Sequence, residues 1–278
     1  MAMKEPKVKI FVAHHKPWYV YEDDVYVPIQ VWKKNAKVDL WILWDDTWDN
    51  ISEKNSNYAE LTAQYWVWKN YDLSDVDYVG FCHYRRYITY NHRPYFKETK
   101  ISNFLDLLLY LSGYQYKMKY KNEIICDTSK QLKNFIGSVD CDVYCCKAWY
   151  VSLWPLHHLW LKNDVLWNNL REILLDNYPD FSDTIIQIDH KLSVNFWNLF
   201  IMKKKVFFDY SDFIFTILTE FEKEIVDKNL LRIVYKEPMT ADTRFLWCLG
   251  ERLLNLWLEN KKHTIYINKT ASKIFFTD

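Results

Sequence analysis

Two adjacent arginines, Arg85 and Arg86, follow His83 and Tyr84 directly after an apolar run, Val79-Gly80-Phe81-Cys82. A guanidinium stays charged at any physiological pH, and its planar fork matches phosphate oxygens in pairs. Two of them beside a histidine make a positive site suited to a diphosphate. The competing reading, of equal weight from these residues alone, sets both arginines on the surface against nearby acids. Other polar groups also follow apolar runs: His14 and His15 come after VKIFVA, and Asp45 and Asp46 after VDLWIL. Asp140 and Asp142 form a D-x-D pair but precede their apolar run. Metal-binding acids of an open α/β sheet belong at a strand's carboxyl end, so this pair is rejected as a metal motif.

The elements that must position these groups follow from periodicity. Val76–Cys82 is rich in β-formers and almost free of charge, as a buried strand of a mostly parallel sheet should be. Val8–Ala13 reads as a first strand and Val38–Leu43 as a second. From Asn57 the apolar positions Tyr58, Leu61, Tyr65, Trp66 and Trp68 recur at helical spacing up to about Asn70, with Ser56 or Asn57 as the cap. Strand, helix, strand predicts a right-handed βαβ crossover. Further on, Ile101–Leu111 and Lys130–Ile136 read as helices, Tyr114–Asn122 as a basic insertion and Cys141–Cys146 as a strand. The second half is mainly helical: 157–176, 181–190, 206–226 and 243–258, with Asn195–Met202 as a strand or buried turn.

Composition bounds the function. The 278 residues carry 36 basic and 36 acidic side chains, a balance that argues against a general nucleic-acid binder. With 14 Trp and 21 Tyr the chain holds more rings than a core needs. Such a surplus often lines sugar or base grooves or faces a membrane interface, while core packing accounts for many of the rings. Six cysteines, none in CxxC spacing, read as reduced thiols of a cytosolic protein. The only glycines, at 80, 113, 137 and 250, cannot form a G-x-G-x-x-G or P-loop fingerprint. Neither a signal peptide nor a membrane span is expected, so the chain should be soluble and at most peripheral.

Several stretches together resemble a known family: VPIQV, DDTWDNISEKNSNYAELTAQYWVWKN, DYVGFCHYRRY, NFWNLFIMKKKVF and GERLLNLWL, with the pair His157-His158 followed by the acid Asp164. They are similar to a bacterial domain of formerly unknown function found in capsular and exopolysaccharide gene clusters, whose members are assigned as glycosyltransferases. The likeness runs over roughly residues 8 to 260. Five residues separate His158 from Asp164, where the family has two, and Trp48 replaces a small residue.

The resemblance implies one α/β domain of GT-A-like (Rossmann-like) fold, with a mostly parallel sheet, flanking helices and a mainly helical C-terminal half. Residues 8–150 would hold a nucleotide sugar and 151–278 the acceptor. The implied reaction moves a sugar, galactose or galactofuranose being the first to try, from a UDP-sugar to a glycan or polyprenyl-linked glycan on the cytoplasmic face. Nucleic acid is not an expected partner. Under that reading Arg85 and Arg86 stabilise the leaving diphosphate in place of a metal, Lys69 and Arg244 assist, and His83 and Tyr84 touch ribose or phosphate. His14, Asp45, Asp46, Asn55 and Glu60 complete the nucleotide-sugar set. Asp164 and His158 are the acceptor-side bases, with Glu251 and Asp189 behind them. No cofactor is expected. Two alternatives stand beside this one: a metal-dependent hydrolase built from His14, His15, Asp45, Asp46, His157 and His158, and a non-catalytic glycan-binding protein.

Overall fold

The computed structural model describes residues 5–89, 116–119, 121–146, 149–150, 164–189, 193–194, 198–230 and 245–277. The expected helix at Ile101–Leu111, and His157, His158 and Arg244, lie outside the described residues.

The first strand, β1 (Val8–His14), is buried on both faces. Ile10 and Val12 enter one apolar cluster and Phe11 and Ala13 the other. A strand that feeds two cores must lie inside a three-layer α/β/α sandwich, which is why it reads as a continuous apolar run. β2 (Tyr26–Gln30) and β4 (Tyr78–His83) flank β1 in parallel, and β3 (Leu43–Trp44) lies outside β2. The order is therefore β3-β2-β1-β4. The expected strand at Val38–Leu43 shrinks to those two residues, because the side chain of Gln30 ties the backbone of Val38 and Leu40 into a loop.

Beyond β4 the sheet becomes mixed. β5 (Arg86–Thr89) doubles back from β4, β6 (Tyr116–Lys119) and β7 (Val143–Cys146) follow, and a short pair, β8 (Trp149–Tyr150) and β9 (Ser193–Val194), stands apart. β10 (Phe200–Lys203) runs antiparallel to both β4 and β7, and β11 (Ile267–Thr277) joins β7, β5 and β6. Among the described residues nine strands form the main sheet.

The helical stripe seen in the sequence is broken in two, α1 (Asn55–Tyr58) and α2 (Leu61–Asn70). Ala59 between them adopts φ 47°, and Asn55 holds the break by donating from Nδ2 to the Ala59 carbonyl at 2.6 Å. α3 (Asn122–Ser138), longer than expected, covers one face of the sheet with Ile124, Ile125, Leu132 and Ile136. The other face carries α4 (Asp164–Asn177), α5 (Ser182–Asp189), α6 (Lys204–Asp227) and α7 (Phe245–Lys261). Gly250 lets α7 settle against α2, since a Cβ there would lie 2.8 Å from Leu61 Cδ1.

Candidate functional site

The strand order β3-β2-β1-β4 places a topological switch between β1 and β4, where one connection leaves to each side, the place beyond the carboxyl ends where open α/β sheets bind their ligands. Ala13 pairs with His83 at that edge, and the Tyr84 amide donates to the Ala13 carbonyl at 3.1 Å. The next backbone bond, Val31 N to His14 O at 2.8 Å, holds β1 against β2 at the same edge. β4 then reverses into β5 through Tyr84 and Arg85, with His83 opposite Arg86. Sequence neighbours are thus fanned out on a tight turn at the ligand edge of the sheet.

Tyr84 is the platform of this cluster. It is fully buried and packs beneath the ligand edge. Around its ring stand His83 at 4.1 Å, His15 at 5.2 Å, Trp18 at 5.5 Å and His14 at 5.6 Å between centroids. The Arg85 guanidinium lies 5.1 Å from the Tyr84 ring and 5.9 Å from that of Trp18, and Lys16 Nζ lies 6.0 Å from Tyr84. An aromatic face attracts cations without neutralising them, so Arg85 is held in place with its charge still available.

His83 and His14 are neutral at this edge. Burial, with Arg86, His15, Arg85 and His14 adding repulsion, lowers the His83 pKa to about 2. Its Nδ1 accepts from the Arg85 amide at 3.4 Å, so the proton resides on Nε2, which is left to donate. Burial and His15 lower His14 to about 4.

Arg86 is half-buried at the start of β5. Desolvation lowers its pKa, and the carboxylates of Glu60 and Glu251 oppose that effect. Glu60 is fixed by the Trp247 indole, which donates to Oε1 at 2.6 Å. Trp247 and Glu251 lie one turn apart on α7, so this helix both holds Glu60 and sets Glu251 within electrostatic range of Arg86.

Other expected site residues lie on other elements. Asp45 is buried and accepts from the amides of Trp32 and Lys33, both at 3.2 Å, and from Ser52 Oγ at 2.6 Å. Both its oxygens are engaged in loop structure. Asp46 follows it, half-buried, at the end of β3. Asn55 serves the α1–α2 break. Lys69 lies in the last turn of α2, which leads to the beginning of β4 at the opposite edge of the sheet from Arg85, and its Nζ rests 3.5 Å from the Trp68 ring. Asp164 opens α4 and Asp189 closes α5. Sequence reasoning missed Trp18 and Trp247, for which the aromatic surplus was the only signal.

Among the described residues no group of three or more His, Cys, Asp or Glu is arranged to hold a metal, and no helix is long and apolar enough to cross a membrane. A cavity of about 650 Å³ opens elsewhere, between α2, α6 and α7. Trp68, Phe208 and Trp257 line it with the acids Asp209 and Asp212 and the base Lys261, a mostly aromatic lining with more acid than base.

This α/β sandwich, with its cationic cluster at the switch point, is of the GT-A-like class. The chain belongs to the family described as Domain of unknown function (DUF4422), whose profile matches residues 9–262. Among solved structures it is similar to the apo structure of WbbM, a bifunctional glycosyltransferase, with 25% sequence identity and a TM-score of 0.78. That match covers 98% of this chain and 46% of the WbbM chain, so this chain spans less than half the length of that protein. No curated protein sequence matches.

Proposed function

We propose that the protein is a glycosyltransferase that moves a sugar from a nucleoside diphosphate sugar, a UDP-sugar first, to a glycan acceptor. The observation that carries this reading is the pair Arg85 and Arg86, mounted with neutral His83 on a tight turn at the switch point of a sheet that resembles part of a bifunctional glycosyltransferase. In the reaction the bond between the sugar C1 and the diphosphate oxygen breaks, and its electron pair leaves with the diphosphate. The acceptor oxygen bonds to C1 as its proton passes to a base, for which His158 and Asp164 are our candidates. Negative charge grows on the departing diphosphate, where Arg85, Arg86 and the His83 Nε2–H act as preorganised donors. In this reading the cations take the part a divalent metal plays elsewhere. The acceptor is a glycan or a polyprenyl-linked glycan in surface polysaccharide synthesis, met in the cytoplasm or at the inner face of the membrane.

A thermal-shift screen of nucleotide sugars tests the donor, because a ligand that binds only the folded state raises the melting temperature. A UDP-hexose should give the largest rise. With that donor, Arg85→Ala and Arg86→Ala should each lower kcat by about two orders of magnitude, as loss of an oxyanion-hole donor does. Folded variants that turn over near the wild-type rate would refute the assignment.

A further inference from the structure

The apolar run VDLWIL, which the sequence presents as a strand, stays largely outside the sheet: only Leu43 and Trp44 pair with β2, while Val38 and Trp41 are exposed. It belongs to a concentration of exposed rings. Among the described residues the exposed tryptophans, Trp32, Trp41, Trp44 and Trp48, all fall between positions 32 and 48. Three of them, Trp32, Trp41 and Trp48, have φ of 61°, 57° and 48°. Glycine and asparagine visit this left-handed region readily, whereas a bulky side chain there is an outlier. Trp41 and Trp48, 87% and 78% exposed, bury little in return. Folding alone would set glycine or asparagine at these turns.

The rings share an edge of the sheet with the candidate site. Trp32 follows β2, and Trp44 ends β3 opposite Gln30, the last residue of β2. Tyr19, also exposed, packs on Trp18, which stands beside Arg85. Exposed rings therefore lie by the carboxyl ends of β1, β2 and β3, on the edge that bears Arg85 and Arg86. Trp41 and Trp48 flank β3, the outermost strand.

The charges and the spacing of the rings indicate the partner. Lys33 pairs with Asp39, Lys34 and Lys37 are offset by Asp46 and Asp49, and Asp45 is buried, so the segment presents no net charge. Trp48 stacks on Trp66 and Trp44 lies by Lys33 Nζ, but no two of the four exposed indoles stack on each other. They are separate anchors, not one fitted face. Val38 adds an aliphatic side chain, which offers a sugar no ring to stack on. Separate indoles without net charge suit the headgroup layer of a bilayer, a fluid medium in which tryptophan concentrates.

We propose that the outer edge of the sheet, Trp32 to Trp48 with Tyr19, docks on a lipid bilayer with its rings seated among the headgroups. The docking stands on these rings. Its purpose, to set Arg85 and Arg86 close to a polyprenyl-linked acceptor, rests on the glycosyl-transfer reading.

Flotation of the full chain with vesicles of phosphatidylcholine, with and without phosphatidylglycerol, tests this. Wild type should float with both, because rings and not charge carry the binding. Trp41→Asn and Trp48→Asn should each partition about tenfold more weakly, the equivalent of about 1.4 kcal/mol of lost ring burial. Trp41→Asn should melt no lower than wild type and keep its thermal shift with the UDP-hexose of the screen above. Wild type that stays in solution, or Trp41→Asn that floats as well as wild type, overturns the proposal. So does a wild-type dimer that Trp41→Asn dissociates, since the surface would then meet a second copy, or retention on immobilised dextran without flotation, which marks a glycan platform. Flotation without a thermal shift from any UDP-sugar upholds the docking and overturns only its stated purpose.

Discussion

His83 and Arg85 stand two residues apart on one turn and hold different charges at neutral pH. Burial keeps the imidazole neutral, while the guanidinium rests against two aromatic rings and remains cationic. The same burial makes His14 a pH liability. Its pKa falls from the ordinary 6.5 to about 4. Between those values the unfolded chain binds a proton that the folded chain refuses, so the contribution is whole above pH 6.5 and is lost as pH falls toward 4. At about 1.4 kcal/mol per pH unit, His14 accounts for about 3 kcal/mol over that range. Urea unfolding at pH 7.5 and 4.5 should show His14→Gln losing less stability than wild type on acidification, by about that amount. An identical loss in both proteins contradicts a neutral buried His14. The sequence made Arg85, Arg86 and His83 visible because they end an apolar run. It could not show that both oxygens of Asp45 serve a loop.

At the scale of elements, β4 is the strand on which the site depends, because it has β1 on one side and β10 on the other. Gly80 allows that approach: a Cβ there would lie 2.8 Å from Ile201 Cγ1 and 2.9 Å from the Phe200 carbonyl oxygen. The second contact is with the backbone of β10, which cannot give way as a side chain tip can. Gly80→Ala should therefore cost about 2 kcal/mol or more by overpacking, read as a lower urea midpoint with an unchanged slope. A midpoint equal to wild type would mean that the strands are less closely set. β1, β4, α6 and α7 were legible because each carries a long apolar pattern of one period. β2 was not read as a strand, because Pro28 in its middle argues against a strand interior. β11 was missed because its sequence, INKTASKIFFT, opens with polar residues.

Over the whole molecule, two apolar clusters on opposite faces of the sheet leave the carboxyl edge of β1 and β4 for binding. The division into a nucleotide half and an acceptor half is our proposal for how the chain divides its work. The α/β class was legible from alternating strand and helix signals, and the nearly glycine-free sequence pointed away from a phosphate-cradling loop. What the sequence could not convey is how helix α7, far along the chain, returns to set Trp247 and Glu251 beside Glu60 and Arg86. The most direct measurement is a crystal structure of the chain soaked with UDP. The account predicts both phosphates within hydrogen-bond reach of the Arg85 and Arg86 guanidinium groups, at about 2.7–2.9 Å. Phosphates bound at the cavity between α2, α6 and α7, or anywhere beyond reach of both arginines, would contradict it.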